Sequence, residues 1–423
     1  METKEFENTV GLGLGRAVLH LLDHDARPYR EIILDACLHN KAYDPQVEGS
    51  RAVYMLEMMR ASGELAFYAD AVIPSLVEEA DDWDTSQRFQ IARLLAQDGN
   101  QSARQAMHSA FQTKMISDNE VAAEFIELDG LAGLVFVVRR IGELLTQNPE
   151  RWEDDYLLWV ASDIYGKEEV EAALKNAAET DTNIKAYLNA VEENRTLRAL
   201  NQRPDPTSLT YGDVRSLIEA NKAGGILHLW AKTASESNLR LAADDLTKET
   251  DAKKLKLYLG LFRKRKFPRE LDHLFRLVEL PDGPVPRHAL GVLANLEHER
   301  IRSIAFSLVE TRSSLRDYAI DLLVNNFHDR DHAIIEAWCD AELDLGTLNA
   351  FDRSLRDFFA AHPDSECEGR LLRKLYEREP CAHCRSSVVE RLLALGALPE
   401  TLRRECEYDS YADTRELVKH RNN

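Results

Sequence analysis

Residues 285–326 constrain the fold of this chain more than any other stretch, because they hold three amphipathic helices with almost no loop between them. In each helix, apolar residues recur at intervals of three and four, which places them on one helix face. The three stripes are Ala289, Val292, Leu293 and Leu296; Ile301, Ile304, Ala305, Leu308 and Val309; and Leu315, Tyr318, Ala319, Leu322 and Leu323. A short helix cannot bury such a stripe alone, so each needs its sequence neighbours. The stretch therefore predicts a stack of helical hairpins.

The composition of the whole chain agrees with such a stack. The 423 residues exceed the size at which one compact core stops growing, whereas a solenoid extends its core along one axis. Only 19 glycines and 13 prolines are present, too few for the many tight turns of an all-β fold. No segment shows an alternation of period two long enough for a sheet. We predict an all-α fold, an α–α superhelix of antiparallel helical hairpins.

An arginine recurs just before the apolar stripe in several of the predicted first helices. The spacings between copies are 29, 30 or 37 residues, which is the period of solenoids with two helices per repeat. The pairs are Arg51 and Arg88, Arg287 and Arg316, Arg316 and Arg353, and Arg385 and Arg415. We interpret Arg287 and Arg316 as structural markers of the repeat.

The first helices of these units resemble those of HEAT repeats, which carry the pattern Arg-x-x-Ala-x-x-Leu. The matching segments are Arg287-His288-Ala289-Leu290-Gly291-Val292-Leu293, Leu315-Arg316-Asp317-Tyr318-Ala319-Ile320-Asp321-Leu322-Leu323 and, with Val in place of Ala, Cys384–Leu393. The shorter spacing is similar to the HEAT-repeat variant named after phycobilin lyases. The resemblance implies a HEAT/armadillo-like solenoid. HEAT-like proteins are mostly scaffolds that bind other proteins, and some are lyases or DNA glycosylases.

A boundary is predicted at residues 200–208, where two prolines interrupt the helical periodicity. The charge balance changes at the same place. Residues 1–200 carry 36 acidic and 19 basic side chains, whereas residues 201–423 carry 37 and 34. We predict an acidic helical-repeat region at 1–200 and a HEAT-like region at 208–423, with one continuous solenoid as the open alternative.

The N-terminus lacks the pattern of a signal peptide, because Lys4 is followed by Glu5 and Glu7 and the apolar run contains Arg16 and His20. No window approaches the roughly 18 uncharged apolar residues of a membrane span. The six cysteines are scattered, which fits a reducing compartment. We expect a cytoplasmic protein that does not bind membranes.

The most distinctive chemical feature is a basic run at 253–269, in a chain whose net charge is −20. Tyr258, Phe262 and Phe267 are interleaved with the cations, and no acidic residue interrupts them. The cations are Lys253, Lys254, Lys256, Arg263, Lys264, Arg265, Lys266 and Arg269. The run is interpreted in three ways: a solvated helix end that complements the helix dipole, a surface for an acidic protein, or a surface for nucleic acid.

Two functions follow from these features. The first is a non-enzymatic scaffold or adaptor for protein partners, which would use the basic run and exposed residues of the second helices. Those residues are Arg104, Gln105, His108, Arg302, Arg403 and Arg404. The alternative is a nucleic-acid-binding solenoid, of DNA-repair type in one version, that uses the run 253–269. The overall acidity disfavours general binding to nucleic acid.

The remaining motifs predict no catalytic, cofactor-binding or metal-binding residue. Cys381 and Cys384 form only one CxxC pair, where a structural zinc site normally has two. The histidine pairs His20/His24 and His328/His332 lack the HExxH arrangement. The Gly11–Gly15 segment follows no strand and lacks the lysine of a phosphate-binding loop. Two tryptophans ringed by acidic residues, Trp83 and Trp152, are interpreted as packing anchors or as partner hot spots.

Overall fold

A computed structural model describes residues 1–113, 119–148, 150–200, 205–222, 225–311, 314–328, 331–339, 345–363 and 365–419. These residues form 27 α-helices and two 3-10 turns, and they contain no strand. The helices are α1 Thr3–Leu12, α2 Arg16–Asp23, α3 Arg30–Leu38, α4 Pro45–Glu48, α5 Ala52–Ala61, α6 Leu65–Ser75, α7 Asp82–Gln97, α8 Gln101–Thr113, α9 Asn119–Asp129, α10 Leu131–Gln147, α11 Tyr156–Tyr165, α12 Lys167–Ala178, α13 Thr182–Leu200, α14 Tyr211–Glu219, α15 Gly225–Thr233, α16 Glu236–Leu246, α17 Ala252–Gly260, α18 Asp272–Val278, α19 Pro284–Leu293, α20 Glu299–Glu310, α21 Tyr318–Val324, α22 His332–Cys339, α23 Leu345–Ala361, α24 Ser365–Arg378, α25 Ala382–Ala394, α26 Glu400–Cys406 and α27 Ala412–Lys419. The predicted all-α class, with stacked helical hairpins, is confirmed.

The three helices predicted in residues 285–326 are α19, α20 and α21. Helix α19 begins with two prolines in its first turn, where a missing backbone N–H costs nothing. The apolar stripes point inward, and most of their residues are fully buried. Sequence periodicity therefore predicted both the helices and the faces that they bury.

The chain divides into two compact units. Unit 1 comprises Met1–Gln202, Cys381–Glu390 and Leu398–Asn423, and unit 2 comprises Arg203–Pro380 and Arg391–Ala397. Both ends of the chain thus belong to unit 1. The division predicted from sequence at 200–208 does not include this grouping, in which the C-terminal segments belong with the N-terminal part.

Within each unit the first helices of successive hairpins pack against one another. In unit 1 the succession runs α2, α5, α7, α9 and α11, and in unit 2 it runs α17, α19, α21 and α23. Phe6, Met55 and Phe125 are among the fully buried residues of the unit 1 core. Each hairpin buries its apolar face against the hairpins before and after it, which is the packing of a helical-repeat stack.

Two of the recurring arginines, Arg51 and Arg88, are buried anchors inside the stack of unit 1. The Arg51 guanidinium is buried, pairs with Glu48 at 2.5 Å and donates to the Gly11 carbonyl oxygen at 2.8 Å. Arg88 is also buried and donates to the carbonyl oxygens of Leu38 and Ser75. Because a guanidinium offers several donors in one plane, one side chain can satisfy several carbonyl groups at a hairpin end.

The glycine-rich segment Gly11–Gly15 packs against the C-terminal segment of unit 1. Gly13 has φ of 71°, and its carbonyl oxygen accepts a hydrogen bond from the Ser410 N–H at 2.9 Å. A Cβ atom on Gly15 would lie 2.0 Å from the Glu405 carbonyl oxygen. The segment rejected as a phosphate-binding loop therefore has a packing role, since only glycine admits this approach.

No helix in the described ranges is both long enough and apolar enough to cross a membrane.

Candidate functional site

The basic run begins on helix α17 and continues into the turn that follows it. The Asp251 side chain caps the helix by accepting from the backbone N–H groups of Lys253 and Lys254, both at 3.0 Å. The interleaved aromatic residues Tyr258, Phe262 and Phe267 are all buried. They belong to the core of unit 2, so they offer no exposed ring face on which a base could stack.

Arg265 links the turn after α17 to the end of helix α15. Its guanidinium donates to the carbonyl oxygens of Ala231 at 2.9 Å, Lys232 at 2.7 Å and Ala234 at 3.0 Å. These carbonyls lie at and just beyond the end of helix α15, where no intrahelical donor reaches them. Arg265 therefore acts as a helix C-cap, and it is not available to a partner.

Two further cations of the run pair within unit 2. Arg269 forms a bidentate ion pair with Asp244, with Nε–Oδ1 and Nη2–Oδ2 distances of 2.6 and 2.7 Å. Lys254 pairs with Glu219. In the described part of the chain, no ion pair involves the exposed side chains of Lys253, Lys256, Arg263, Lys264 and Lys266. These five residues form the exposed basic patch of unit 2.

The positive charge of the patch affects a histidine on helix α19. Burial lowers the pKa of His288, and the nearby cations Lys256 and Arg263 lower it further. Arg287, next to it on the same helix, donates to the Ser314 carbonyl oxygen at 3.0 Å. This contact joins α19 to the segment before α21, in agreement with its interpretation as a repeat marker.

Arg302, proposed from sequence as an exposed contact residue, is an internal anchor. It forms a bidentate pair with the fully buried Asp331, with Nη2 at 2.6 Å from Oδ1. Its guanidinium also lies over the Phe306 ring, 4.7 Å from the centroid. Because Asp331 and Phe306 already hold this guanidinium, Arg302 is not free to contact a partner.

Arg403 and Arg404, also predicted from sequence as contact residues, lie on helix α26 in unit 1. Arg403 is half-buried and donates to the Val418 carbonyl oxygen at 3.2 Å, which ties α26 to α27. Arg404 is exposed. The sequence-predicted cations are therefore of two kinds, those that tie helices together and those that face solvent.

A feature that the sequence did not single out is an apolar groove of about 540 Å³ in unit 1. It lies between helices α11, α12 and α13, and we call it the Trp159 groove. Helix α11 contributes Leu158 and Trp159 to its lining, and α13 contributes Leu188. The buried Val170 and Leu174 of α12 form its apolar floor. Trp159 is 66% exposed, which is unusual for so large an apolar side chain.

Ionic residues form the rim of the Trp159 groove. Arg195 pairs with Asp155 at 3.1 Å, and Lys167 lies 3.7 Å from Glu171. Protein-binding surfaces typically have an apolar centre surrounded by a polar rim, as this groove does. The signal in the sequence is α11 itself, YLLWVASDIY, which carries more large apolar residues than one helix face can bury.

The cysteines and histidines form no reactive or metal-binding arrangement in the described residues. A hydrogen bond with Cys384 raises the pKa of the Cys381 thiol, and burial raises it further, so the reactive thiolate is disfavoured. His20 bonds to Tyr29 Oη at 3.0 Å and stacks on His24. Among the residues that the structure describes, no group of three or more His, Cys, Asp and Glu side chains could hold a metal ion.

Comparison of this chain with protein-family models, with curated proteins and with solved structures gave no match.

Proposed function

We propose that this chain is a non-enzymatic helical-repeat scaffold that binds an amphipathic helix of another protein in the Trp159 groove. The observation that carries the proposal is the exposure of Trp159 over an apolar floor. Tryptophan residues in such positions dominate the energetics of protein interfaces, because they bury a large area when a partner docks. The resemblance of the repeat to HEAT repeats, whose proteins are mostly scaffolds, supports the same function.

The shape of the groove favours a helix as its occupant. Three helices form its walls and floor, and an amphipathic helix inserts apolar side chains at i, i+3, i+4 and i+7 into such a cleft. The anchoring side chains would contact Trp159, Val170 and Leu174. A short amphipathic helix needs an apolar surface on which to bury its stripe, and the groove would provide that surface for the partner helix.

The groove's own lining holds three cations and two anions, so its local charge is nearly balanced. The wider region around it is acidic and favours a basic partner over a second copy of this chain. Residues 151–200 carry 11 acidic and 6 basic side chains, and residues 1–200 have a net charge of −17. Two copies of this surface would repel one another, whereas a helix with basic residues beside its apolar face would be attracted. We therefore assign the groove to an amphipathic helix with basic flanks.

A direct test uses a labelled peptide of about 18 residues, helical in pattern, with leucines on one face and lysines on the other. We expect saturable binding by fluorescence anisotropy, weakened at least about tenfold by Trp159→Ala. Trp152→Ala is the matched control, because Trp152 is 69% exposed and does not line the groove. Equal binding of a scrambled peptide, or no effect of Trp159→Ala, would refute the assignment.

Nucleic-acid binding is a second candidate, favoured by the exposed basic patch of unit 2. Since the aromatic residues of the run are buried, the patch would contact phosphates without stacking on bases. A gel shift at low salt tests this function, with Lys264→Glu plus Lys266→Glu against Lys185→Glu plus Lys222→Glu as a control of equal charge. Binding lost only in the first pair supports the candidate; no binding at low salt ends it.

A further inference from the structure

A polar groove of about 490 Å³ runs between helices α25 and α27, and all of its lining residues belong to unit 1. We call it the α25–α27 groove. Helix α25 lines it with residues spaced by three and four, which lie on one helix face. The lining consists of His383, Ser386, Ser387 and Glu390 from α25, and of Tyr411, Asp413, Glu416 and Leu417 from the start and first turns of α27. Among these residues three are acidic, and none is lysine or arginine.

The groove has an acidic group toward each end. At one end His383 Nδ1 lies 3.0 Å from Tyr411 Oη, which fixes α25 against the start of α27. Burial raises the pKa of Tyr411, and the nearby Asp413 carboxylate raises it further, so Asp413 belongs to the same end. Glu390 follows His383 by seven residues, which is about 10 Å along the helix axis. Asp413 and Glu390 therefore lie toward opposite ends of the groove.

Neither of these two carboxylates is neutralised within the described part of the chain. The Glu390 and Asp413 side chains are exposed and form no ion pair there. The third acidic residue, Glu416, pairs with Lys419 at 2.9 Å, so it adds no uncompensated charge. Two negative charges held at the ends of one groove attract a ligand that carries a positive charge at each of its own ends.

A hydroxyl group without a partner lies between the two ends. Ser386 lines the groove three residues after His383 and four before Glu390, and it is only 7% exposed. Its Oγ has no hydrogen-bond partner in the described residues, and it is not sealed from solvent. Helical serines commonly donate to the carbonyl oxygen four residues earlier, as Ser162 does to Leu158 at 2.6 Å. Because Ser386 makes no such bond, its Oγ is free to accept from a donor in the groove.

We propose that the α25–α27 groove binds a linear aliphatic polyamine. Its terminal ammonium groups would pair with Asp413 and Glu390, and a secondary amine between them would donate to Ser386 Oγ. Its methylene segments would contact Leu417 and the ring of Tyr411. The site lies outside the Trp159 groove, so it can fail or succeed independently of the proposed function.

The length of the groove selects among such ligands. In extended spermidine the terminal nitrogens are about 11 Å apart, which matches the separation of the two acidic ends. Putrescine, at about 6 Å, is too short to reach both. A peptide with two lysines would bring backbone groups that need partners of their own, whereas a polyamine brings only amines and methylenes.

The experiment is calorimetric titration of the full chain at low salt with spermidine, octamethylenediamine and putrescine. Octamethylenediamine has the length of spermidine, with a methylene group in place of the middle amine. We expect saturable binding of spermidine, at least about tenfold tighter than that of putrescine and several-fold tighter than that of octamethylenediamine. Ser386→Ala should weaken spermidine binding about fivefold and leave octamethylenediamine binding unchanged.

Charge variants test the two ends. Glu390→Gln together with Asp413→Asn should weaken spermidine binding about tenfold, because both terminal ion pairs are lost. Glu400→Gln together with Glu407→Gln is the matched control, since it removes the same charge at exposed positions that do not line the groove. If the first double variant does not fold, Glu390→Gln alone, at an exposed position, should still weaken binding several-fold.

Four outcomes would overturn the proposal. Equal losses in the two double variants would reduce the effect to diffuse attraction, and equal affinity for putrescine and spermidine would exclude a ligand that spans the groove. A blocked Lys-Gly-Gly-Lys peptide that binds as tightly as spermidine would assign the groove to a protein segment and contradict the polyamine. Absence of saturation up to about 10 mM spermidine would also overturn it.

Discussion

Gly13 and Ser410, near opposite ends of the chain, are in direct contact within unit 1. The Ser410 N–H donates to the Gly13 carbonyl oxygen at 2.9 Å, and a Cβ atom on Gly13 would lie 2.1 Å from Ser410 Oγ. The absence of a side chain at this position is therefore what allows the C-terminal segment to dock. The fold of unit 1 depends on residues that are remote in sequence.

Gly15→Ala tests this docking without a change of backbone preference, because Gly15 already has helical angles. Its Cβ would overlap the Glu405 carbonyl oxygen, so we expect a loss of about 1–3 kcal/mol in unfolding free energy. Limited proteolysis should also cut more rapidly within residues 398–419. Urea unfolding measures the stability.

Gly11→Ala is the control for that substitution, since a Cβ at Gly11 meets nothing within 4 Å. Alanine is the better helix former, so this variant should gain about 0.5–1 kcal/mol. Equal changes in unfolding free energy for the two variants would show that close packing at Gly15 does not stabilise unit 1.

Arg385 and Asp409 form a fully buried ion pair in unit 1, with Nε at 3.2 Å from Oδ2. Asp409→Asn removes a buried counter-charge from the guanidinium, and we expect a loss of about 3–5 kcal/mol. The exposed pair Arg240 and Glu236 should contribute less than about 1 kcal/mol. Double-mutant cycles on both pairs, read by urea unfolding, measure the difference. A buried pair with no larger coupling than the exposed one would contradict this prediction.

Arg265 and Lys264 are adjacent in sequence but differ in role. Arg265→Gln removes donors from three carbonyl groups, so we expect a loss of about 1–3 kcal/mol in stability. Lys264→Gln should stay within about 0.5 kcal/mol of the wild type, because its side chain is exposed. Thermal unfolding compares them. If the two variants were equally stable, the capping role of Arg265 would be wrong.

The stability of the chain should fall as the pH drops below 6.5. Burial lowers the pKa of His273 from its ordinary value of 6.5, and the nearby Arg276 lowers it further. Below pH 6.5 the unfolded chain therefore binds a proton that the folded chain does not, until the folded pKa is reached. His108 and His288 shift in the same direction, again mainly through burial.

Urea midpoints at pH 7.5 and pH 5.5 measure this dependence in the wild type and in His273→Gln. The variant should lose less stability between the two values, because its side chain no longer titrates. If His273→Gln lost as much stability as the wild type between pH 7.5 and pH 5.5, His273 would not contribute to the pH dependence.

Periodicity was enough to predict the helices, since an apolar stripe is a local property of about ten residues. It could not predict that Gly13 meets Ser410, because a contact between distant segments leaves no local pattern beyond small residues. The basic run shows the same limit. Its cations are visible in the sequence, but only the structure distinguishes Arg265, which caps a helix, from Lys264, which is exposed. Trp159 escaped notice because a strongly apolar helix normally indicates core.

The most direct test of the proposed scaffold function is a hydrogen–deuterium exchange footprint of the leucine–lysine peptide on the full chain. We expect slower exchange confined to helices α11, α12 and α13, and no change at residues 253–266. The Trp159→Ala variant should show no such protection at the same peptide concentration. Protection at other helices, or none anywhere under conditions where the peptide is bound, would contradict the assignment of the Trp159 groove.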